Sequence, residues 1–504
     1  MTEPRPPETH GPARGAAHRP SSWRAAAVTA LALLCALAWI GCGETTEGTA
    51  TAPDAGAEPA AQAAGATGDA GIPAPRGDGR RRVFLIGIDG ASPKVVVPLM
   101  RKGRLPNLAR IARQGVYGPI RSEHPLYSPR IWNSIATGKD PDDHGITAFV
   151  HKDENDENHL YVSSDRRVPA IWNIASAAGR SVGIVNWWTT WPPEVIEGVM
   201  VSDHFFPQQS ALIRNTFQDE REITGARVYP ESWTDEAEAA RLDDTQLVTV
   251  RDPFADPEPL SDWINTPLLS DYYRNDLEIT RVALAAEAAF SPDLSIVFLP
   301  GIDRMSHWMW GNLEPGEKYP EELRPTKAER RAGAAALFAY YEYTDQLIGR
   351  LLRAADGDDL VIVLSDHGFE AQVSMMLLTG GHETGESIDG VLYARGPGVP
   401  RGAGPGPVSV LDVTPTVLAW MGIAPAEDMK GRPMPFVEIE VPDMVASHDG
   451  LEIERLEIAA SGAEDEIVEH LRALGYLEGD GVDENPSAGS PEESGTNQGD
   501  PATD

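Results

Sequence analysis

Five short apolar runs recur between residues 82 and 396, and the segments between them carry helical spacing instead. The runs are RVFLIGI (82–88), RSVGIVNW (180–187), LSIVFLP (294–300), DLVIVLS (359–365) and GVLYARG (390–396). They are nearly continuous in Val, Ile and Leu rather than alternating, which is the pattern of strands buried on both faces. The clearest intervening helix spans 328–355, where Leu337, Tyr341, Ile348 and Leu352 recur at helical intervals and Gly357 follows as a stop signal. Strand–helix alternation of this kind predicts an α/β fold, a doubly wound and mostly parallel sheet sandwiched by helices. The stretch 203–275, rich in Asp, Glu, Arg, Trp and Pro, breaks the rhythm. It reads as an inserted cap over the site or, equally, as a peripheral elaboration.

The flanks read differently from this 81–441 core. Several arginines up to Arg24 precede the apolar run AAAVTALALLCALAWIG and then Cys42, so residues 1–42 form an export signal. Ile40-Gly41-Cys42 resembles the end of a bacterial lipobox, with Trp39 where a leucine is usual. The expectation is an exported protein, periplasmic or held at the cell-envelope membrane by lipid on Cys42. Residues 43–80 are Ala-, Gly-, Thr- and Pro-rich and read as a tether. Segment 442–477 ends in EDEIVEHLRALGYL, with helical spacing at Ile467, Leu471 and Leu474, and 478–504 is an acidic tail expected to be disordered.

The chain carries 42 Lys and Arg against 77 Asp and Glu, a formal net charge of -35. This argues against a nucleic-acid partner, whose phosphates need basic neutralisation. Small anionic substrates stay open, because divalent cations reverse the local field inside a cleft. Both cysteines, Cys35 and Cys42, lie in the N-terminal segment, so any metal in the core must be held by His and carboxylate groups.

Open α/β sheets bind ligands beyond the carboxyl ends of their strands, and the candidate ligands sit close to such ends. Asp89 ends the first run, Asp303 follows LSIVFLP with His307 four residues on, Asp366 and His367 end DLVIVLS, and His382 precedes GVLYARG. Three carboxylates and three imidazoles make the N/O mixture that suits Zn²⁺ or Mn²⁺. The candidate nucleophile is Ser128, read as an N-cap with Pro129 at the first helical position and Gly138 ending the helix. A serine there has backbone N–H groups and the positive dipole end beside it, a natural seat for a phosphoryl oxygen. Metal coordination would lower its hydroxyl pKa, although a plain capping serine has the same local sequence.

In order along the chain, "IGIDGAS", "SPRIWNSIATGKDPDDHGI", "LPGIDRMSH", "VLSDHGF" and "GGH…GVLYARGPG" resemble the alkaline phosphatase superfamily. Within it the chain is similar to the type I phosphodiesterase/nucleotide pyrophosphatase group, in the manner of bacterial phosphohydrolase/phosphomutase-like proteins. The resemblance implies two divalent metals, Zn²⁺ first and Mn²⁺ as the alternative. Asp303, His307 and His382 would hold one, and Asp89, Asp366, His367 and the Ser128 oxygen the other. It implies a phosphodiesterase or phosphomonoesterase working through a phosphoserine on Ser128, with a small-molecule, lipid or glycan phosphate ester as substrate. The alternatives are a phosphoryl or phospho-alcohol transferase or phosphomutase and, in another class, a non-catalytic surface lipoprotein. Phe149 stands where nucleotide pyrophosphatases carry a phosphate-binding asparagine. Arg130 and Lys139 are therefore candidates to meet the substrate's charge, though each also reads as a solvated surface cation. The tryptophans of NWWTTWPPE (186–194) suit either core packing or a wall beside the cleft. For the N-terminus, Cys42→Ser is expected to abolish incorporation of labelled palmitate into the chain in producing cells; undiminished labelling would refute the anchor.

Overall fold

The computed structural model describes residues 82–456, apart from 153–157, 207–224, 250–251, 253–265, 322–323, 374–378 and 403. The export segment with Cys42, the tether 43–80, the helix expected at 464–477 and the tail 478–504 lie outside the described residues.

Eight strands form one sheet: β1 (Val83–Ile88), β2 (Val116–Arg121), β3 (Val182–Val185), β4 (Gly198–Val201), β5 (Val228–Tyr229), β6 (Leu294–Leu299), β7 (Leu360–Leu364) and β8 (Asp389–Arg395). They lie in the order β2-β8-β7-β1-β6-β3-β4-β5. The five from β7 to β4 run parallel, whereas β8 is antiparallel to both neighbours and β5 is antiparallel to β4. The sheet is therefore mostly parallel, and all five apolar runs are strands in it. The direction of β8 is what the runs did not carry: a continuous apolar pattern reports burial on both faces, not orientation. Strands β2, β4 and β5 gave no such run, because β2 is a half-exposed edge strand containing Gly and Pro and the other two are short.

Helices cover both faces. Phe84, Ile86 and Ile88 pack with α1 (Pro93–Arg101), α2 (Pro106–Gln114) and two later helices of 25 residues each. Val83 and Leu85 face α3 (Ser128–Thr137) and α4 (Ile171–Ala177) on the other side. Within 203–275 the described residues build the sheet's outer edge: β5, then α5 (Thr234–Leu242), which packs on the long α6 (Thr266–Phe290). After β6 come α7 (Gly301–Met309), α8 (Lys327–Leu351) and, beyond β8, α9 (Val413–Trp420). Helix α8 starts at a capping box in which Thr326 Oγ accepts from Glu329 N and Glu329 reaches back to Thr326 N. Its anticipated apolar positions Leu337, Tyr341 and Ile348 are buried, as is Leu352 just past its end.

One contact seats the helix that carries Ser128. Trp132 of α3 is fully buried, edge-on to Trp187 and to Phe298, each with centroids 4.9 Å away. Its ring lies directly over Gly87 of β1, where a Cβ would meet the indole at 2.6 Å. Gly87 is thus a glycine of close approach, and it lets α3 sit flat on the strand that ends at Asp89. A buried ion pair closes the same layer: Arg166 and Glu194 are both fully buried and 2.6 Å apart, with Trp172 and Asn173 also donating to Glu194. Arg455 approaches Glu194 as well, tying the C-terminal described segment to this network. Gly87→Ala is expected to push Trp132 off the sheet and cost about 1–3 kcal/mol, read as a lower denaturation midpoint. An unchanged midpoint would mean that α3 adjusts freely.

Candidate metal centre

Asp89 leaves β1 with its N–H still bonded to Leu299 O of β6, and Gly90 then turns the chain at φ 65°. A side chain at Gly90 would be strained by that φ and would crowd the Asp303 backbone at 2.9 Å. The turn aims Gly90 N at Asp366 Oδ1 (3.2 Å), so the ends of β1 and β7 are laced together. Ser365 tightens the lacing by accepting from Ala91 N and donating to His367 O. On α7, Asp303 and His307 are four residues apart and share one face. His382 follows the two-residue strand Gly380–Gly381, which pairs antiparallel with Glu370–Ala371. This ribbon is fastened to α7 by Thr379 N on His307 O (2.8 Å).

All six predicted ligands converge. His367 Nε2 lies 3.4 Å from Asp366 Oδ2, 3.6 Å from Asp89 Oδ1 and 4.0 Å from Asp303 Oδ1. His307 Nε2 is 3.5 Å from Asp303 Oδ2, and His382 Nε2 is 3.8 Å from Asp303 Oδ1. Every one of these residues is at most 5% exposed. Two triads have ligand atoms close enough to share a cation, Asp303–His307–His382 and Asp89–Asp303–His367. The Nδ1 atoms of His307 and His367 donate to the Gly380 and Gly368 carbonyls, which fixes the tautomer and turns each Nε2 lone pair toward the cluster.

Burial drives the electrostatics. It pushes Asp366 up to about 7 and, reinforced by the charges of Asp366 and Asp303, holds Asp89 well above the usual carboxylate range. Burial opposes ionisation of Asp303 too, but His307, His382 and His367 outweigh it and hold that carboxyl low. His382 is pushed well down by burial and by the neighbouring His367. Side chains alone therefore cannot keep three carboxylates ionised here, whereas divalent cations would. Asp366 Oδ2 and His367 Nε2 are buried and make no hydrogen bond, an arrangement that ordinarily costs about 1–3 kcal/mol per group. The donor set, its burial and these two atoms fit divalent metal.

Ser128 faces the same cluster, with Oγ 3.5 Å from Asp89 Oδ1. The cap residue of α3 is Tyr127, so Ser128 is the first helical residue rather than the N-cap. Tyr127 begins an aromatic group beside it: Phe149 stands edge-on between Tyr127 and Trp188 at 5.9 and 5.7 Å. Trp187 and Trp191 are core residues, and only Trp188 of the three is partly exposed. Arg130 and Lys139 are not brought into the ligand cluster. The Arg130 guanidinium donates to the Glu123 and Pro125 carbonyls. Lys139 sits beyond the far end of α3, buried, with Nζ 2.7 Å from both Asp428 and Asp449. An isolated lysine in sequence gave no sign of those two carboxylates, which lie about 300 residues away.

The fold and this cluster define an α/β protein with a buried carboxylate–imidazole metal centre at the carboxyl edge of its sheet. Residues 83–378 match the type I phosphodiesterase / nucleotide pyrophosphatase family, a span that opens at β1 and takes in every site residue except His382. The chain belongs to that family. Comparison with the curated proteins finds no match. Among solved structures it is similar to phosphonoacetate hydrolase from Sinorhizobium meliloti 1021, at 16% identity and TM-score 0.37, over 59% of this chain and 58% of that one. A mutant of the alkaline phosphatase PafA matches at 11% identity and TM-score 0.46, over 71% of this chain and 99% of that one. Human ectonucleotide pyrophosphatase / phosphodiesterase 5 matches at 12% identity and TM-score 0.39, over 68% and 96%.

Asp303 is the residue common to both triads. Asp303→Asn is therefore expected to abolish Zn²⁺ binding measured by elemental analysis, and His382→Ala to remove only part of it. Equal retention by the two variants would show that Asp303 is not shared.

Proposed function

We propose that the chain is a metal-dependent phosphoric ester hydrolase in which Ser128 is the nucleophile and two divalent cations, Zn²⁺ or Mn²⁺, occupy the cluster. The observation that carries this is the position of the Ser128 hydroxyl, buried and 3.5 Å from Asp89 Oδ1 at the N-terminal end of α3. Family membership supports the reaction class.

Asp303, His307 and His382 would hold one cation, and Asp89, Asp366, His367 and Ser128 Oγ the other, with Asp303 close enough to serve the second as well. The cations would supply Lewis acidity and the positive charge that lowers the Ser128 hydroxyl pKa. Ser128 gives up its hydroxyl proton to solvent, Oγ attacks phosphorus, the ester P–O bond breaks, and the departing alkoxide takes a proton from water. A water then loses a proton to solvent and attacks the phosphoserine, the Oγ–P bond breaks, Ser128 Oγ is reprotonated from solvent, and phosphate or a phosphomonoester leaves. Two in-line displacements give retention at phosphorus. First-turn N–H groups of α3 and its dipole favour the phosphoryl oxygens, and Pro129, the second residue of the helix, needs no hydrogen-bond partner there. The N-terminal basic segment, apolar run and Cys42 support action outside the cytoplasm, at the cell envelope.

Ser128→Ala is expected to lower turnover of aryl phosphate mono- and diesters roughly 10³-fold or more while leaving bound metal unchanged. Acid-quenched wild-type enzyme should yield a phosphopeptide at Ser128. Wild-type turnover in the variant would overturn the assignment.

A further inference from the structure

The metal-ligand cluster lies where the parallel strands end. Where they begin, at the opposite edge of the sheet, is a cleft of about 700 Å³. Its walls are α2, the C-terminal end of α8, the residues leading into β7 and the last residue of β8. Four arginines line it: Arg110 from α2, Arg350 and Arg353 at and just beyond the end of α8, and Arg395 closing β8. Among the described residues none of the four forms an ion pair with a carboxylate. Arg350 donates to the Leu247 carbonyl and Arg395 Nη1 to the Asp356 carbonyl at 2.8 Å, and Arg110 and Arg353 make no hydrogen bond to a described residue.

The four are gathered in one cleft of a chain with 77 acidic side chains against 42 basic ones. Some arginines elsewhere find acids, as in Arg82–Glu287, Arg104–Glu342, Arg121–Asp389 and Arg241–Glu278, and others, such as Arg180 and Arg432, bond backbone carbonyls, but those do not share one recess. Asp356 also lines the cleft, and its carboxylate and that of Asp359 each accept from a backbone N–H rather than from a guanidinium. Asp356 Oδ1 accepts from Asp358 N, and Asp359 Oδ2 accepts from Asp356 N. The last carbonyls of α8 favour cations, which accounts for Arg350 and Arg353. No helix end accounts for Arg395, and burial together with the charge of Arg110 pushes its guanidinium pKa down against the opposing pull of Asp359 and Asp356. Burial and Arg353 do the same to Arg350. Four guanidinium groups thus share one cleft with no carboxylate at ion-pairing distance among the described residues, an arrangement that an anion between them would complete.

We propose that this cleft binds a small oligophosphate anion at a site separate from the metal centre. Guanidinium forks match phosphate oxygens two at a time, and four of them suit several linked phosphoryl groups better than one. The volume falls in the range of roughly 300–1,000 Å³ usual for small-molecule sites. No aromatic ring lines the cleft, so the ligand is recognised by charge rather than by an apolar body. A nucleic-acid strand is disfavoured by the overall charge of -35.

The test is calorimetric titration of the full chain with tripolyphosphate, comparing wild type, Arg110→Gln/Arg353→Gln and Asp303→Asn. Both substituted arginines are exposed, so the fold should persist, and turnover of an aryl phosphate ester within twofold of wild type checks this. The arginine variant carries the same metal centre as wild type, so the difference between them isolates the cleft from any binding or chelation there. The expected result is loss, or at least tenfold weakening, of one binding event in the arginine variant and its retention in Asp303→Asn. Identical isotherms for wild type and the arginine variant would overturn the proposal. So would disappearance of the arginine-dependent event in Asp303→Asn, which would put the polyphosphate in the metal centre.

Discussion

Three carboxylates buried within a few ångströms of one another set the terms for the rest of this molecule. Asp89, Asp303 and Asp366 sit in a region from which water is nearly excluded, and their mutual repulsion is only partly met by His307, His367 and His382. Such a group persists in a fold when cations complete it, because the charge that makes it unfavourable alone makes it a strong binder of divalent metal. Much of the surrounding detail serves to hold the six side chains still. The β1 and β7 turns are laced through Gly90 and Ser365, the imidazoles are oriented by backbone carbonyls, and the His382 ribbon is fastened to α7.

Sheet direction explains how residues spread over nearly 300 positions meet at one edge. Asp89, Asp303 and Asp366 follow parallel strands and arrive at the same side. His382 precedes its strand rather than following it, and it reaches that side because β8 runs the other way. Ser128 comes from a helix, and its position depends on packing: Trp132 over Gly87 fixes the distance between α3 and the strand that carries Asp89. The position of Ser128 is in that sense set by an aromatic ring and a missing Cβ.

Helix α8 links the two edges of the sheet. Its body packs against α7, which carries Asp303 and His307, and Tyr341 accepts from Ser92 N just past Asp89. Its end contributes Arg350 to the arginine-lined cleft. A chain so acidic overall has thus gathered unpaired positive charge at one place and buried negative charge at another, joined by one rigid element.

The five apolar runs were enough to determine a mostly parallel α/β sheet, because hydrophobic continuity reports burial and burial on both faces means helices on both sides. Strand-end position and residue chemistry singled out six side chains that the fold brings together, and helix-start chemistry singled out Ser128, which faces them. Direction, register and distance were not legible there. The antiparallel course of β8, the sharing of Asp303 between two triads and the seat of Ser128 at the first helical position rather than the cap all follow from packing. So does the engagement of Lys139 by Asp428 and Asp449, and the convergence of four arginines from three separate elements. These depend on contacts between residues far apart in the chain, and a local pattern carries no information about its distant partner until the tertiary structure brings the two together.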